Sequence, residues 1–513
     1  MKKIITNIII FLTLIIIQSN LYAKDNVMLS PEYLAQWNVS YASYLIDVGK
    51  YLQALESYET ALDATNNKAI RGTILMNKAS LLSNYLDSPL DALKIYDEII
   101  KEYPEKTETA LYQKGLILLD EGKYKDAIEI YDYYLKNYPN GRYRYSIGTL
   151  HKRAKTETAP PSIIKEGIKI EEPFVRVLLQ RKVNSIELSG KNIVINERHY
   201  SGGSIVFHFN NDMLYIGNEP VSENITVKAS SAIKIVCGKE TKSVRGEIIL
   251  STMDKGLNVI NKITMEEYLH SVVPSESYSK WMPETLKAQA VASRTYAYYQ
   301  ILHRIQWPYD VVDNEGDQAY KGISVENKAT DKAVEETSGI IAINEGKPIL
   351  AMYTSNNGGY IADAEAVFNL SKPYFVSKPD LYSVKGEKAT WNMKVPVVTV
   401  EKELKKDGIN INGLMNIFAA QKDTSGRVIK INIVAKSGGG IYRTRPTLGH
   451  ALELPEILFE ISREGDYFIF SGKGWGHGVG YSQWGGAIMG QNEYDYKSIL
   501  QFYYPQTELI KLW

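Results

Sequence analysis

Cysteine is nearly missing from this chain. Cys237 is the only one among 513 residues, which excludes an intramolecular disulfide and leaves stability to buried apolar cores. Net charge is missing too: 59 basic and 59 acidic side chains cancel, so no global field draws the chain toward nucleic acid, and none is expected as a partner. Nor is there an apolar run of the roughly 20 residues that cross a bilayer. The run from Ile4 to Ile17 is shorter. Lys2 and Lys3 precede it and the small residue Ala23 follows, which is the plan of a secretory signal. Residues 1–23 are therefore expected to be removed, the mature chain starting near Lys24, with export to the periplasm or cell envelope. Leu21 suits the approach to a cleavage site poorly, so an uncleaved anchor is the alternative. Cys237 ends the run Ile233-Lys-Ile-Val-Cys237, an expected strand, and reads as a small buried hydrophobe rather than a nucleophile.

What is present first is a repeat. Ala54, Ala92 and Ala127 are spaced 38 and 35 apart, and Tyr58, Tyr96 and Tyr131 follow each by four. Ala42, Ser80 and Gly115 stand twelve before each alanine, and Pro104 and Pro139 close the second and third units. Gly49 and Gly122 fit the turns between paired helices, whereas Asp87 and Pro89 make the second unit depart. Units near 34 residues with small residues at helix crossings resemble tetratricopeptide repeats, whose helix pairs bury their apolar faces only by stacking. Residues 31–150 are assigned to this all-α array. Its surface is expected to take a peptide, a protein partner or another domain.

Residues 151–172, rich in Lys, Thr, Glu and Pro, read as a linker that leaves two separable units. The remainder, 173–513, alternates short β-rich runs with helical stretches and is α+β. Pro283 suits a first helical turn, and Leu286, Ala290, Ala297 and Ile301 share one face of a helix running to Arg304. A helix is also expected near Val400–Lys406 and a shorter one near Leu414–Ala420.

Two segments carry chemistry. In one, glycine stands at every second position from Gly472 to Gly480, with Trp475, His477, Gln483 and Trp484 between and after. Glycine permits positive φ and close ligand approach, while flat rings and amides suit a sugar surface. In the other, Tyr268-Leu-His-Ser-Val-Val-Pro-Ser-Glu276 precedes Leu286-Lys-Ala-Gln-Ala-Val-Ala-Ser-Arg-Thr-Tyr296. Together and in this order the two segments resemble the stage II sporulation protein D / amidase-enhancer (SpoIID/LytB) family, from about Phe174 onward. Asp313 to Gly322 and Ala351 to Gly359 resemble two further family segments.

The resemblance implies a peptidoglycan lytic transglycosylase that cuts the bond from N-acetylmuramic acid to N-acetylglucosamine, and it makes Glu276 the catalytic acid. Such a step needs one carboxyl with a raised pKa, which calls for partial desolvation; Trp281 and Tyr278 stand nearby in sequence to provide an apolar wall. Arg294, Gln289, Trp281, Gln318, Tyr320, Trp475, His477, Gln483 and Trp484 are the expected substrate contacts. For Arg294 a structural ion pair is the equal alternative, and for His477 a buried, hydrogen-bonded imidazole is. Some members of the family bind zinc near the fourth segment. Thr354 and Asn357 stand there in this chain, and a zinc site needs several N or S ligands, so no metal and no cofactor are expected. Two other roles compete: a non-catalytic glycan binder that stimulates a cell-wall amidase, that amidase then being a partner, or a repeat-based scaffold anchored to the wall.

Overall fold

The computed structural model describes residues 30–47, 50–86, 88–121, 123–139, 141–156, 169–210, 213–221, 224–252, 256–304, 307–368 and 370–513. The expected signal (1–23), Gly49, Asp87, Gly122 and most of the linker lie outside these residues. No helix among them is long and apolar enough to cross a membrane.

Three helix pairs open the described chain: α1 (Pro31–Asp47) with α2 (Tyr51–Ala64), α3 (Lys68–Asn84) with α4 (Pro89–Glu102), and α5 (Thr107–Asp120) with α6 (Tyr124–Asn137). Asn67 caps α3 by accepting from Ala69 and Ile70, and Pro89 occupies the first turn of α4. The repeat residues are the ones that cross. Ala42, Ala54, Ala92 and Ala127 are wholly buried, as are Tyr96 and Tyr131. Gly115 shows why one crossing takes no side chain: a Cβ there would stand 2.2 Å from the Tyr131 ring. Gly115→Ala is therefore expected to lower stability by about 1–3 kcal/mol as the ring is forced aside, more than the gain in helix propensity returns. An unchanged urea midpoint would contradict this packing.

The expected linker is partly structured. Helix α7 (Arg144–Thr156) runs through its first residues, and its far end is pinned to the following domain: Ile170 N–H donates to Leu512 O at 2.8 Å, and Glu172 accepts from Glu266 N–H at 2.8 Å. The chain then forms two antiparallel sheets. A seven-stranded one runs, in spatial order, Val311–Val312, Phe174–Val183, Leu257–Thr264, Glu247–Ser251, Asn224–Lys228, Val194–Ile195 and Arg198–His199, with only the first pair parallel. A six-stranded one is centred on Ile233–Cys237, Ser185–Ser189 and Ser204–Asn210. Their apolar faces share a core with Tyr268, Leu269, Val272 and Val273 of α8 (Met265–Glu276) and with Ala290 and Ala297 of α9 (Pro283–His303). Cys237 ends its strand as expected but is half-buried rather than buried; its thiol, pushed up by burial, faces Ser185 O at 3.8 Å.

Further on, a helix at Val397–Lys406 matches expectation, but Leu414–Ala420 is not helical. It lies within an eleven-residue strand, Asn412–Lys422, paired with Val428–Ser437. A bulge between Leu414 and Asn416 moves the buried face along by one residue, so Leu414 and Ile417 are both interior while Met415 and Phe418 are exposed. A spacing of three then imitates a helical period.

The array and the domain do not stand apart as the linker suggested. One apolar cluster includes Ala54 and Leu82 of the repeats together with Val400, Ile431 and Phe470. At its edge Arg445 Nε meets the buried carboxylate of Glu56 at 2.9 Å, Arg443 meets Glu59 at 3.2 Å, and Lys430 meets Asp63 at 3.3 Å. Of the three occupants expected for the array surface, another domain takes this part of it.

Candidate functional site

Helix α8 ends at Glu276, five residues after Ser271, and carries Pro274 in its last turn. Pro274 cannot donate to the preceding turn; Ser275 Oγ bonds back to Ser271 O at 2.8 Å. The chain then leaves through Ser277–Met282 before Pro283 starts α9. Glu276 is therefore the last side chain on a buried helix, held at a helix end facing a pocket of about 450 Å³.

Three other segments converge on its carboxyl. From the loop 313–322, the Ala319 N–H donates to Oε1 at 2.8 Å. Tyr353–Thr354 and Tyr481–Ser482 form a short parallel pair, which sets Tyr353 beside Gln483. Ser482 caps the helix Gln483–Gln491 by accepting from Gly485 N–H, placing Gln483 in its first turn. Gln483 Nε2 stands 3.4 Å from Glu276 Oε2, and the Tyr353 hydroxyl also hydrogen-bonds the carboxyl. Burial pushes the Glu276 carboxyl above the usual carboxylate range, against the Ala319 N–H, Gln483, Tyr353 and Lys321, which all favour the charged form. The result is a positioned carboxyl that keeps its proton to higher pH than an exposed one.

The remaining expected contacts divide. Gln483 and His477 line the pocket with Glu276. Both ring nitrogens of His477 are committed to the backbone, Nε2 at 2.9 Å from Tyr353 O and Nδ1 accepting from Val479 N–H at 3.1 Å. Burial pushes its pKa down to about 4, so the ring is neutral and braces the loop instead of reaching for hydroxyls. Trp281 and Trp484 meet edge-on, ring centres 5.1 Å apart, and both touch Tyr278, which is 53% exposed. Tyr278 follows Glu276 by two residues and Trp484 follows Gln483 by one, but none of the three rings is part of the pocket lining. Trp475 is exposed beneath Lys388, whose Nζ lies 4.8 Å from its ring centre, and is not part of the pocket lining.

Four residues are buried among protein partners. Arg294 is wholly buried and pairs with Glu266, Nε to Oε1 at 3.0 Å and Nη2 to Oε2 at 2.6 Å; it ties α9 to α8 and leaves Glu276 unpaired by guanidinium. Gln289 is buried, donates to Ser293 Oγ at 3.0 Å and accepts from Gln483. Gln318, also buried, accepts from the Tyr268 hydroxyl and donates to the Tyr353 hydroxyl, each at 3.0 Å, leaving the Tyr353 proton for Glu276. Tyr320 stacks on Tyr268, its hydroxyl on Asn261. These four residues bond within the protein and brace the segments around Glu276.

Sequence reasoning did not single out the Ala319 N–H, Tyr353 or the pair beneath the loop. Asp317 and Arg304 are both buried and paired at 2.7 Å, and Asp317 also accepts from Val312 N–H and the Tyr296 hydroxyl. Tyr353 does lie within the segment Ala351–Gly359. A backbone donor carries no side-chain signal at all. Among the described residues no group of three or more His, Cys, Asp or Glu side chains is placed to hold a metal ion.

Comparison with known proteins bears on this geometry. Residues 253–343 match the model of a stage II sporulation protein domain, which takes in Glu276, Arg294 and Ala319. Residues 365–480 match a domain of unknown function, and residues 109–141 a tetratricopeptide repeat. A protein of Brachyspira hyodysenteriae of uncharacterized role is 32% identical over 267 residues, covering 52% of this chain and 72% of its own. The amidase enhancer of Bacillus subtilis is 30% identical over 291 residues, 47% of this chain but 40% of the relative. Stage II sporulation protein D of the same organism is 29% identical over 272 residues, 49% of this chain and 75% of the relative.

Proposed function

From the premise that the chain belongs to the stage II sporulation protein D / amidase-enhancer family, we propose that it is a lytic transglycosylase of peptidoglycan with Glu276 as acid and then base. The observation that carries this reading is the Glu276 carboxyl at the helix end, buried, raised in pKa and hydrogen-bonded on both oxygens. Protonated Glu276 gives its proton to the glycosidic oxygen as the bond from C1 breaks. The muramic C6 hydroxyl oxygen bonds to C1, and its proton returns to the Glu276 carboxylate. The product carries a 1,6-anhydro ring, the carboxyl is regenerated, and no water is consumed, so a second carboxylate is not required. Ala319 N–H and Gln483 keep the carboxyl in place through both transfers. The Tyr278–Trp281–Trp484 cluster offers flat faces for neighbouring sugars. A cell-wall glycan substrate calls for export, which is the role expected of the segment 1–23.

Incubation of purified protein with intact and with amidase-treated peptidoglycan, followed by mass analysis, tests the reading. Anhydro-ended fragments are expected, and their absence from both substrates would remove it. The relative named amidase enhancer favours a second reading, in which the site binds glycan and stimulates an amidase; acceleration of a cell-wall amidase by a protein that releases no anhydro ends would select it.

The pH profile follows from the same carboxyl. The first step needs Glu276 protonated, and its pKa is raised, so kcat/KM on denuded strands is expected to fall as pH rises through a value above the ordinary carboxyl pKa of about 4.3. Activity that instead rises over that range would assign the acid role elsewhere.

A further inference from the structure

Tyr51 and Leu52 begin α2, and Tyr85 and Leu86 follow the end of α3; these turns of the repeat array line the same pocket as Glu276 and Gln483. Resting on the glycan-cleaving reading above, we infer that Tyr85 and Leu52 form a sugar subsite of the cleft, so that the repeats are part of the substrate-binding machinery.

The chemistry of the two walls supports this. The array side presents aromatic and aliphatic surface, while the polar groups of the lining, among them Glu276, Gln483, Asn314 and Lys321, come from the domain side beside apolar Leu350 and Met352. A pyranose ring has the same division, an apolar C–H face and a rim of hydroxyls, and the pocket volume lies within the range of small-ligand sites. The array wall is also tied into the domain. Tyr51 is buried beneath the Arg304 guanidinium, 4.8 Å from its ring centre, with its hydroxyl 3.4 Å from that of Tyr309. Tyr85 packs against Tyr51 at 5.0 Å and edge-on against Trp307 at 4.3 Å. Arg304 is itself held by Asp317, in the loop that supplies the Ala319 N–H. A recruiting surface would need none of this coupling, whereas a subsite must stay fixed relative to the reacting bond. A fragment beginning at residue 173 would therefore lose a wall of its cleft and is expected to bind small glycans more weakly than the full chain.

The test uses the full chain carrying Glu276→Gln, which binds without turnover, and calorimetric titration with a denuded tetrasaccharide of alternating N-acetylglucosamine and N-acetylmuramic acid. Tyr85→Ala and Leu52→Gln are each expected to weaken Kd by roughly tenfold, the order of losing one packed ring face. Tyr133→Ala, at an exposed tyrosine of α6 outside the pocket, should bind like the parent. In the active chain Tyr85→Ala should raise KM more than it lowers kcat. Should Tyr85→Ala fail to fold, Leu52→Gln decides the matter. Parental affinity in folded variants would overturn the subsite while leaving cleavage by Glu276 standing. A folded parent that binds no tetrasaccharide would remove the glycan-cleaving reading, and the subsite with it.

Discussion

Glu276→Gln is expected to lower the rate of glycan cleavage by roughly a hundredfold to ten-thousandfold, the usual cost of losing a positioned general acid. The amide keeps the size of the side chain and can still meet Gln483 and the Ala319 N–H, but it has no transferable proton. The fold should not suffer. Because the folded pKa of Glu276 is raised, the native state holds this proton more tightly than the unfolded chain does. Its contribution to stability is thus present below the unfolded pKa and lost as pH rises through the folded one. Removing the ionisable group removes that loss, so the variant should melt no lower than wild type at neutral pH. Anhydro-product release by the variant at near wild-type rate, measured beside its thermal melt, would take the acid role from Glu276.

The second large effect is structural. Asp317→Ala leaves the Arg304 guanidinium in the interior, with both side chains of the pair 1% exposed or less. Breaking such a pair by removing one partner costs about 3–5 kcal/mol, because the remaining charge is uncompensated. Val312 N–H and the Tyr296 hydroxyl lose their acceptor at the same time. Activity should fall too, since the loop that carries Ala319 is anchored there. Thermal melts of Asp317→Ala and Asp317→Asn separate the contributions: asparagine retains acceptor capacity but not the charge, and should fall between wild type and alanine. A melt of Asp317→Ala equal to wild type would show that the pair is not as buried as described.

The most readable parts of this protein in sequence were those where local pattern and structure share a cause. The alanines of the repeats recur because helix crossings leave no room, and the segment around Glu276 was legible because it falls within the matched family domain. Pairings between distant segments were not legible. Arg294 on α9 suggested a ligand or a carboxylate, but its partner is Glu266, on the preceding helix and 28 residues upstream, with no spacing rule to choose it over Glu276. Glu56, Glu59 and Asp63 have the spacing of an ordinary solvated helix face; only the fold brings Arg443, Arg445 and Lys430 against them. Leu414–Ala420 misled for a local reason, a bulge that converts the period of a strand into that of a helix.

Glu266 also bears on how the molecule assembles in time. Its Oε1 accepts from Arg294 Nε, from Gly339 N–H and from the indole of Trp513, 247 residues away, each at 3.0 Å. The adjoining strand Glu508–Lys511 closes on Ile340–Asn344. The junction of α8 and α9, the helices that flank Glu276, is therefore completed only when a segment made hundreds of residues later has docked. Loop closure over such a span is slow, since its entropy is spent before any contact forms. Refolding of the site should lag behind that of the helical repeats, whose contacts are between neighbours.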